Sequence, residues 1–146
     1  MKKIPRVALG TDHAGYALKE IIKKHLLSQG IDVIDEGTFA EDPVDYPAII
    51  RKACGVVLEQ KCPGIVFGGS GIGESIAANK VRGIRAARCC TVDDAKLSRQ
   101  HNDANVLSLG GRLLNPDLAK KMTDAFLTTP FEGGRHVARI NDLEPA

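Results

Sequence analysis

The chain has 146 residues, 43% of them hydrophobic and 26% charged, with a formal net charge of +2, which suits one globular domain and excludes a disordered or fibrous chain. Aromatics at 4% with no Trp argue against stacked-ring platforms for single-stranded nucleic acid, and the near-balanced charge against a duplex binder. No apolar run reaches the ~20 residues that span a bilayer, and Met1-Lys2-Lys3-Ile4-Pro5-Arg6 leads into a strand-like segment without a signal-peptide core, so a cytoplasmic protein with no nucleic-acid or membrane partner is expected.

Short Val- and Ile-rich runs alternate with amphipathic stretches. Residues 6–10 read as a strand and 14–27 as a helix, with Ala14, Leu18, Ile21, Ile22 and Leu26 at helical spacing and Gly30 closing it. Residues 31–35 form a second strand, and Asp45-Tyr46-Pro47 opens a helix through Ile50, Ala53 and Val57. A third strand over 64–67 feeds the turn Gly68-Gly69-Ser70-Gly71-Ile72-Gly73 and a helix over 74–80. Strand four covers 84–90, a helix 93–100, strand five 105–109 and a helix 116–127. Parallel neighbours need crossovers, so the pattern predicts an α/β fold: a single-domain, three-layer αβα sandwich with a doubly wound, mainly parallel five-stranded sheet, Rossmann-like. No linker divides residues 1–146, and residues 130–146 form a C-terminal arm suited to a partner's site. Cys54, Cys62, Cys89 and Cys90 form no C-x-x-C pair and read as buried free thiols.

Ligands of such folds bind beyond the carboxyl ends of the strands, and the chemically suggestive residues are expected to converge on that one edge. Asp12 and His13 follow strand one, the glycine-rich turn and Glu74 follow strand three, Arg112 follows strand five, and His101 and Asn102 lie in a polar turn before it. The turn is an anion trap of open backbone N–H groups beside a helix N-terminus. It is not a dinucleotide fingerprint, because Glu74 stands where the third glycine belongs; nor is it a Walker loop or a G-x-S-x-G elbow.

Glu74 is either a cap favoured by the helix dipole or the base of a carbonyl-adjacent proton abstraction, with the N–H groups holding the oxyanion. The base role faces a conflict, since a helix N-terminus lowers a carboxylate's pKa while catalysis near neutrality wants it raised by desolvation. Asp12 reads equally as an N-cap or a ligand, and His101 as a solvated or a functional imidazole. Arg135 and Arg139, four apart and beside His136, would share a helical face suited to a phosphate.

The runs Gly10-Thr11-Asp12-His13-Ala14-Gly15, Ala77-Ala78-Asn79-Lys80, Gly83-Ile84-Arg85-Ala86, Leu97-Ser98-Arg99-Gln100-His101-Asn102-Asp103-Ala104-Asn105 and Glu132-Gly133-Gly134-Arg135-His136 resemble type B ribose-5-phosphate isomerase over the whole chain, with galactose-6-phosphate isomerase subunits as relatives. The resemblance implies interconversion of ribose 5-phosphate and ribulose 5-phosphate through an enediolate, with no metal or organic cofactor, in a homodimer, or a tetramer built from two, with interface sites. It casts His101 as the ring-opening acid assisted by Asp12, and Asn102 as holding a sugar hydroxyl. His13, Arg112, Arg135 and Arg139 grip the phosphate with His136 near, and Ser70 with the N–H groups of Gly69, Gly71, Ile72 and Gly73 holds the reacting oxygens. Many members carry a cysteine base where this chain has Gly68; Gly71-Ile72-Gly73-Glu74 resembles the branch with a glutamate base. The alternatives are a hexose 6-phosphate isomerase for allose or galactose 6-phosphate, and a non-catalytic phosphosugar-binding regulator needing neither Glu74 nor His101.

Overall fold

The computed structural model describes residues 4–145; Met1, Lys2 and Lys3 of the leading segment and Ala146 of the arm lie outside them. Five strands, β1 (Arg6–Thr11), β2 (Asp32–Asp35), β3 (Gly64–Gly68), β4 (Ala86–Arg88) and β5 (Val106–Gly110), form one sheet of order β2-β1-β3-β5-β4, parallel throughout. Helices α1 (Tyr16–Ser28), α2 (Tyr46–Gln60), α3 (Ile72–Asn79), α4 (Val92–Asn102) and α5 (Pro116–Thr128) connect or follow the strands, and a short α6 (His136–Asn141) lies in the arm. Among the described residues no helix is long and apolar enough to cross a membrane.

Strand alternation divides the core. Val7, Leu9, Ile65, Phe67, Leu107 and Leu109 pack with Leu18, Ile22 and Leu26 of α1, Ala95 of α4, and Met122 and Phe126 of α5. Ala8, Val66 and Val106 point the other way onto Ile50, Ala53 and Val57 of α2 and Ala78 of α3. The doubly wound three-layer prediction therefore holds, with every strand parallel rather than most.

Several boundaries differ from the sequence reading. The first helix starts at Tyr16 rather than residue 14, because the Asp12 carboxylate accepts from the N–H groups of Ala14 (2.9 Å) and Gly15 (3.1 Å) and tightens His13–Gly15 into a 3-10 turn. Gly30, at φ +76, closes α1 with the Gly30 and Ile31 N–H groups bonded back to Leu27 and Leu26. Strand β4 is three residues long, not seven. The Asn79 side chain completes it by pairing with both the N–H (2.8 Å) and C=O (3.0 Å) of Ala86, as a neighbouring strand would. Helix α4 runs on to Asn102, which puts His101 and Asn102 on a helix and not in a turn. Cys54, Cys62 and Cys89 are buried thiols, but Cys90 is exposed.

Candidate active site

The carboxyl edge of the sheet carries the first group of expected residues. Asp12 follows β1, is 8% exposed, and uses Oδ1 for the cap described above, so the capping and ligand readings are compatible: Oδ2 takes no bond among the described residues. The Val44 N–H donates to His13 Nδ1 (3.2 Å), which leaves the proton of a neutral ring on Nε2 as a donor.

The turn after β3 is held from below. The Ser108 hydroxyl donates to the Gly71 carbonyl (2.6 Å) and Arg88 Nε to the Ser70 carbonyl (3.0 Å). Two glycines make this possible: Gly71 sits at φ +79, and a Cβ on Gly110 would stand 2.6 Å from the Ser70 oxygen. Ser70 Oγ accepts the Ile72 N–H (3.2 Å), so its own proton is free to be donated. That bond also corrects one expectation, since the Ile72 N–H is taken and is not an open part of the anion trap.

Glu74 is the third residue of α3 and only 4% exposed. Burial pushes its carboxyl above the ordinary range; the negative charge of Asp12 adds to the rise, while the N–H groups of Glu74 and Gly71 oppose it. In the free protein the cost of burial thus outweighs the N–H bonds at the start of α3. Gly68 is part of the same arrangement, because a Cβ there would coincide with the Glu74 carboxylate. A side chain at 68 and the carboxylate of residue 74 compete for one volume.

Asp12, His13, Gly69, Ser70, Gly73, Glu74 and Arg112 line one cavity of about 410 Å³. Arg112 lies over Gly69, its Nη1 3.3 Å from where a Cβ would be. Sequence reasoning missed two neighbours. Tyr46 lines the cavity with its hydroxyl 2.5 Å from a would-be Cβ on Gly73, and Arg88 braces the turn. The available signal was position: Tyr46 begins the helix after β2, on the same edge.

The second group does not join them. His101 and Asn102 end α4, which runs back from the carboxyl edge, and the Asn102 carbonyl accepts from Arg85 Nε (3.1 Å) just before β4. They therefore lie at the amino edge, separated from Glu74 by the length of a five-residue strand, roughly 16 Å. The arm gathers there too. The Glu132 N–H bonds the Gln100 carbonyl, and the His101 and His136 rings stack with centroids 4.6 Å apart. Burial lowers the pKa of His136, helped by Arg135, His101 and Arg139 and opposed by Glu132. Arg135 is the N-cap of α6 and Arg139 lies inside it; both are exposed, and neither has a side-chain bond or ion pair among the described residues. Convergence on one edge within a chain is thus corrected: residues that precede a strand sit at the end opposite those that follow one.

A family model described as Ribose/Galactose Isomerase matches residues 7–143. Ribose-5-phosphate isomerase B of Escherichia coli (strain K12) is 47% identical over 144 residues, covering 98% of this chain and 95% of that one. The crystal structure of a ribose 5-phosphate isomerase from Thermotoga maritima superimposes with a TM-score of 0.93 at 48% identity, over 95% of this chain and 97% of that one. Ribose-5-phosphate isomerase B from Mycoplasma genitalium with bound ribulose-5-phosphate gives 0.91 at 38% identity, over 94% and 93%. With the sheet, the glycine-rich turn and the arm all accounted for over nearly its full length, the chain belongs to the ribose/galactose isomerase family.

Proposed function

We propose that this protein is an aldose-ketose isomerase that interconverts ribose 5-phosphate and ribulose 5-phosphate, a reaction of the pentose phosphate pathway, in the cytoplasm and without a resident metal or organic cofactor. The observation that carries the chemistry is the buried Glu74 carboxylate, held above its ordinary pKa in a cavity with Asp12, Ser70 and the first turn of α3. A base poised nearer neutrality is what proton transfer between C1 and C2 of an open-chain sugar requires. Glu74 takes the C2 proton of the aldose and returns it at C1. The Ser70 hydroxyl and the free N–H groups of the turn hold the enediolate oxygens as charge develops. His13 Nε2 and Arg112 offer donors to the phosphate.

Ring opening falls to His101, with Asp12 assisting from the Glu74 cavity, Asn102 holds a sugar hydroxyl, and Arg135 and Arg139 complete the phosphate grip; one chain leaves His101, Asn102, Arg135 and Arg139 at the far edge. A two-fold homodimer that sets the amino edge of one subunit against the carboxyl edge of its partner completes the site. Ile72 (48% exposed) and Ile76 (56%), one helical turn apart on α3 next to the cavity, support such an interface. The deciding experiment is turnover of ribose 5-phosphate after metal chelation, beside allose and galactose 6-phosphates, for the wild type and Glu74→Gln. Pentose turnover that falls by ~10²- to 10⁴-fold in the variant is expected. Absence of wild-type activity on every sugar phosphate would sink the enzyme reading, and preference for a hexose phosphate would reassign the substrate.

A further inference from the structure

The amino-edge cluster holds one group, His136 beside the expected phosphate grip, whose ring nitrogen one chain leaves without a partner. His136 is 6% exposed, and its Nε2 is buried with no hydrogen-bond partner, a condition native folds rarely leave standing. Glu132 Oε1 is 3.7 Å away, and the same oxygen lies 3.8 Å from His101 Nε2. Both distances are too long for hydrogen bonds. Yet one ligand atom from each of the three residues falls within 4.8 Å of the other two. Two imidazoles and one carboxylate are the donor set of a borderline divalent cation with an open fourth position.

We infer that His101, Glu132 and His136 form a site for a zinc-like divalent cation. Zn–N bonds of 2.0–2.1 Å in a tetrahedron put donor atoms about 3.3 Å apart. The partly exposed His101 (38%) and Glu132 (49%) side chains can close that gap against a fixed, buried His136 (8%). The stacked rings must tilt towards each other to do so, which the surface position of His101 permits. Arg135 and Arg139 add positive charge beside the cluster and weaken the site, so it fills only when metal rises above trace levels. Its consequence rests on the isomerase reading: a cation on His101 removes the ring-opening acid, making metal a reversible inhibitor of an enzyme that needs none.

The test uses the full chain carrying Cys90→Ser, which removes the exposed thiol as a rival ligand. Calorimetric titration with Zn²⁺ is expected to show one ion per chain, weakened at least about tenfold by Glu132→Gln and by His136→Asn. Thermal melts establish that each variant is folded. Isomerase activity should fall in step with occupancy and return on adding EDTA. No saturable binding by about 100 µM Zn²⁺, or binding and inhibition that both variants leave unchanged, overturns the proposal. Glu132-dependent binding to a protein without isomerase activity would keep the metal site and remove the functional reading instead.

Discussion

At the scale of single residues, Glu74 and Gly68 act as one unit. Glu74→Gln keeps the shape and removes the base, so kcat should fall by ~10²- to 10⁴-fold with little change in KM; steady-state kinetics read the split. Because only the carboxylate form accepts a proton and burial raises its pKa, kcat/KM in the wild type should decline on the acid side at a pH above the ordinary glutamate range. The same shift has a stability consequence. A folded-state pKa above the unfolded value means the stability linked to this group is present below the unfolded pKa and is lost as pH rises through the folded one. At neutral pH the buried charge is therefore a burden, and Glu74→Gln should melt higher than the wild type. Gly68→Ala places a methyl where the Glu74 carboxylate stands, so it should lose turnover comparably. In the Gly68→Ala, Glu74→Gln double variant the losses should not add, which a double-mutant cycle measures. In the sequence, Glu74 in the place of the third glycine already separates this turn from a dinucleotide fingerprint, and the missing Lys-Ser/Thr pair separates it from a Walker loop. The steric exclusion between positions 68 and 74 was not legible there, because it depends on the helix folding the side chain back over the strand end.

At the scale of elements, residues that carried the family resemblance turn out to be divided between chemistry and scaffolding. Asn79 completes the edge of β4, and Asn105 binds the N–H of Arg85 (2.8 Å) and the carbonyl of Gly83 (2.9 Å). Arg85 in turn bonds the Asn102 and Asp103 carbonyls that end α4. These contacts fix where His101 stands. The periodicity of α1 was legible as an apolar face, but Lys19 within it is fully buried, held by Asp35 (2.7 Å) and the Thr38 carbonyl (2.8 Å). Burial tends to raise the pKa of Asp35, but its bonds from Lys19, the Gly37 N–H and Lys23 prevail and hold it low. Stability from that carboxylate is present above its unfolded pKa and lost as acid takes the pH through the lowered folded one. Lys19→Met strands Asp35 with only part of its compensation and should cost about 3 kcal/mol. Urea unfolding would measure it, and the variant's acid unfolding should begin at higher pH.

At the scale of the whole molecule, the two-edge placement makes the proposed dimer testable through catalysis. If the base and the ring-opening acid come from different subunits, a heterodimer of Glu74→Gln and His101→Asn chains has one intact site and one doubly damaged site. Mixing the two inactive variants, unfolding and refolding them together should therefore restore about a quarter of wild-type activity. No recovery would place both groups in one chain's site. The sequence by itself determined the βα alternation, hence the parallel sheet and its three layers, because strand and helix periods are local properties of the chain. It also determined which residue types stand at the strand ends. Only the tertiary structure decided which of those ends face the same way. A helix reverses the chain direction between parallel strands, so Asp12 and Glu74, which follow strands, share one edge, while His101 and His136 lie at the other.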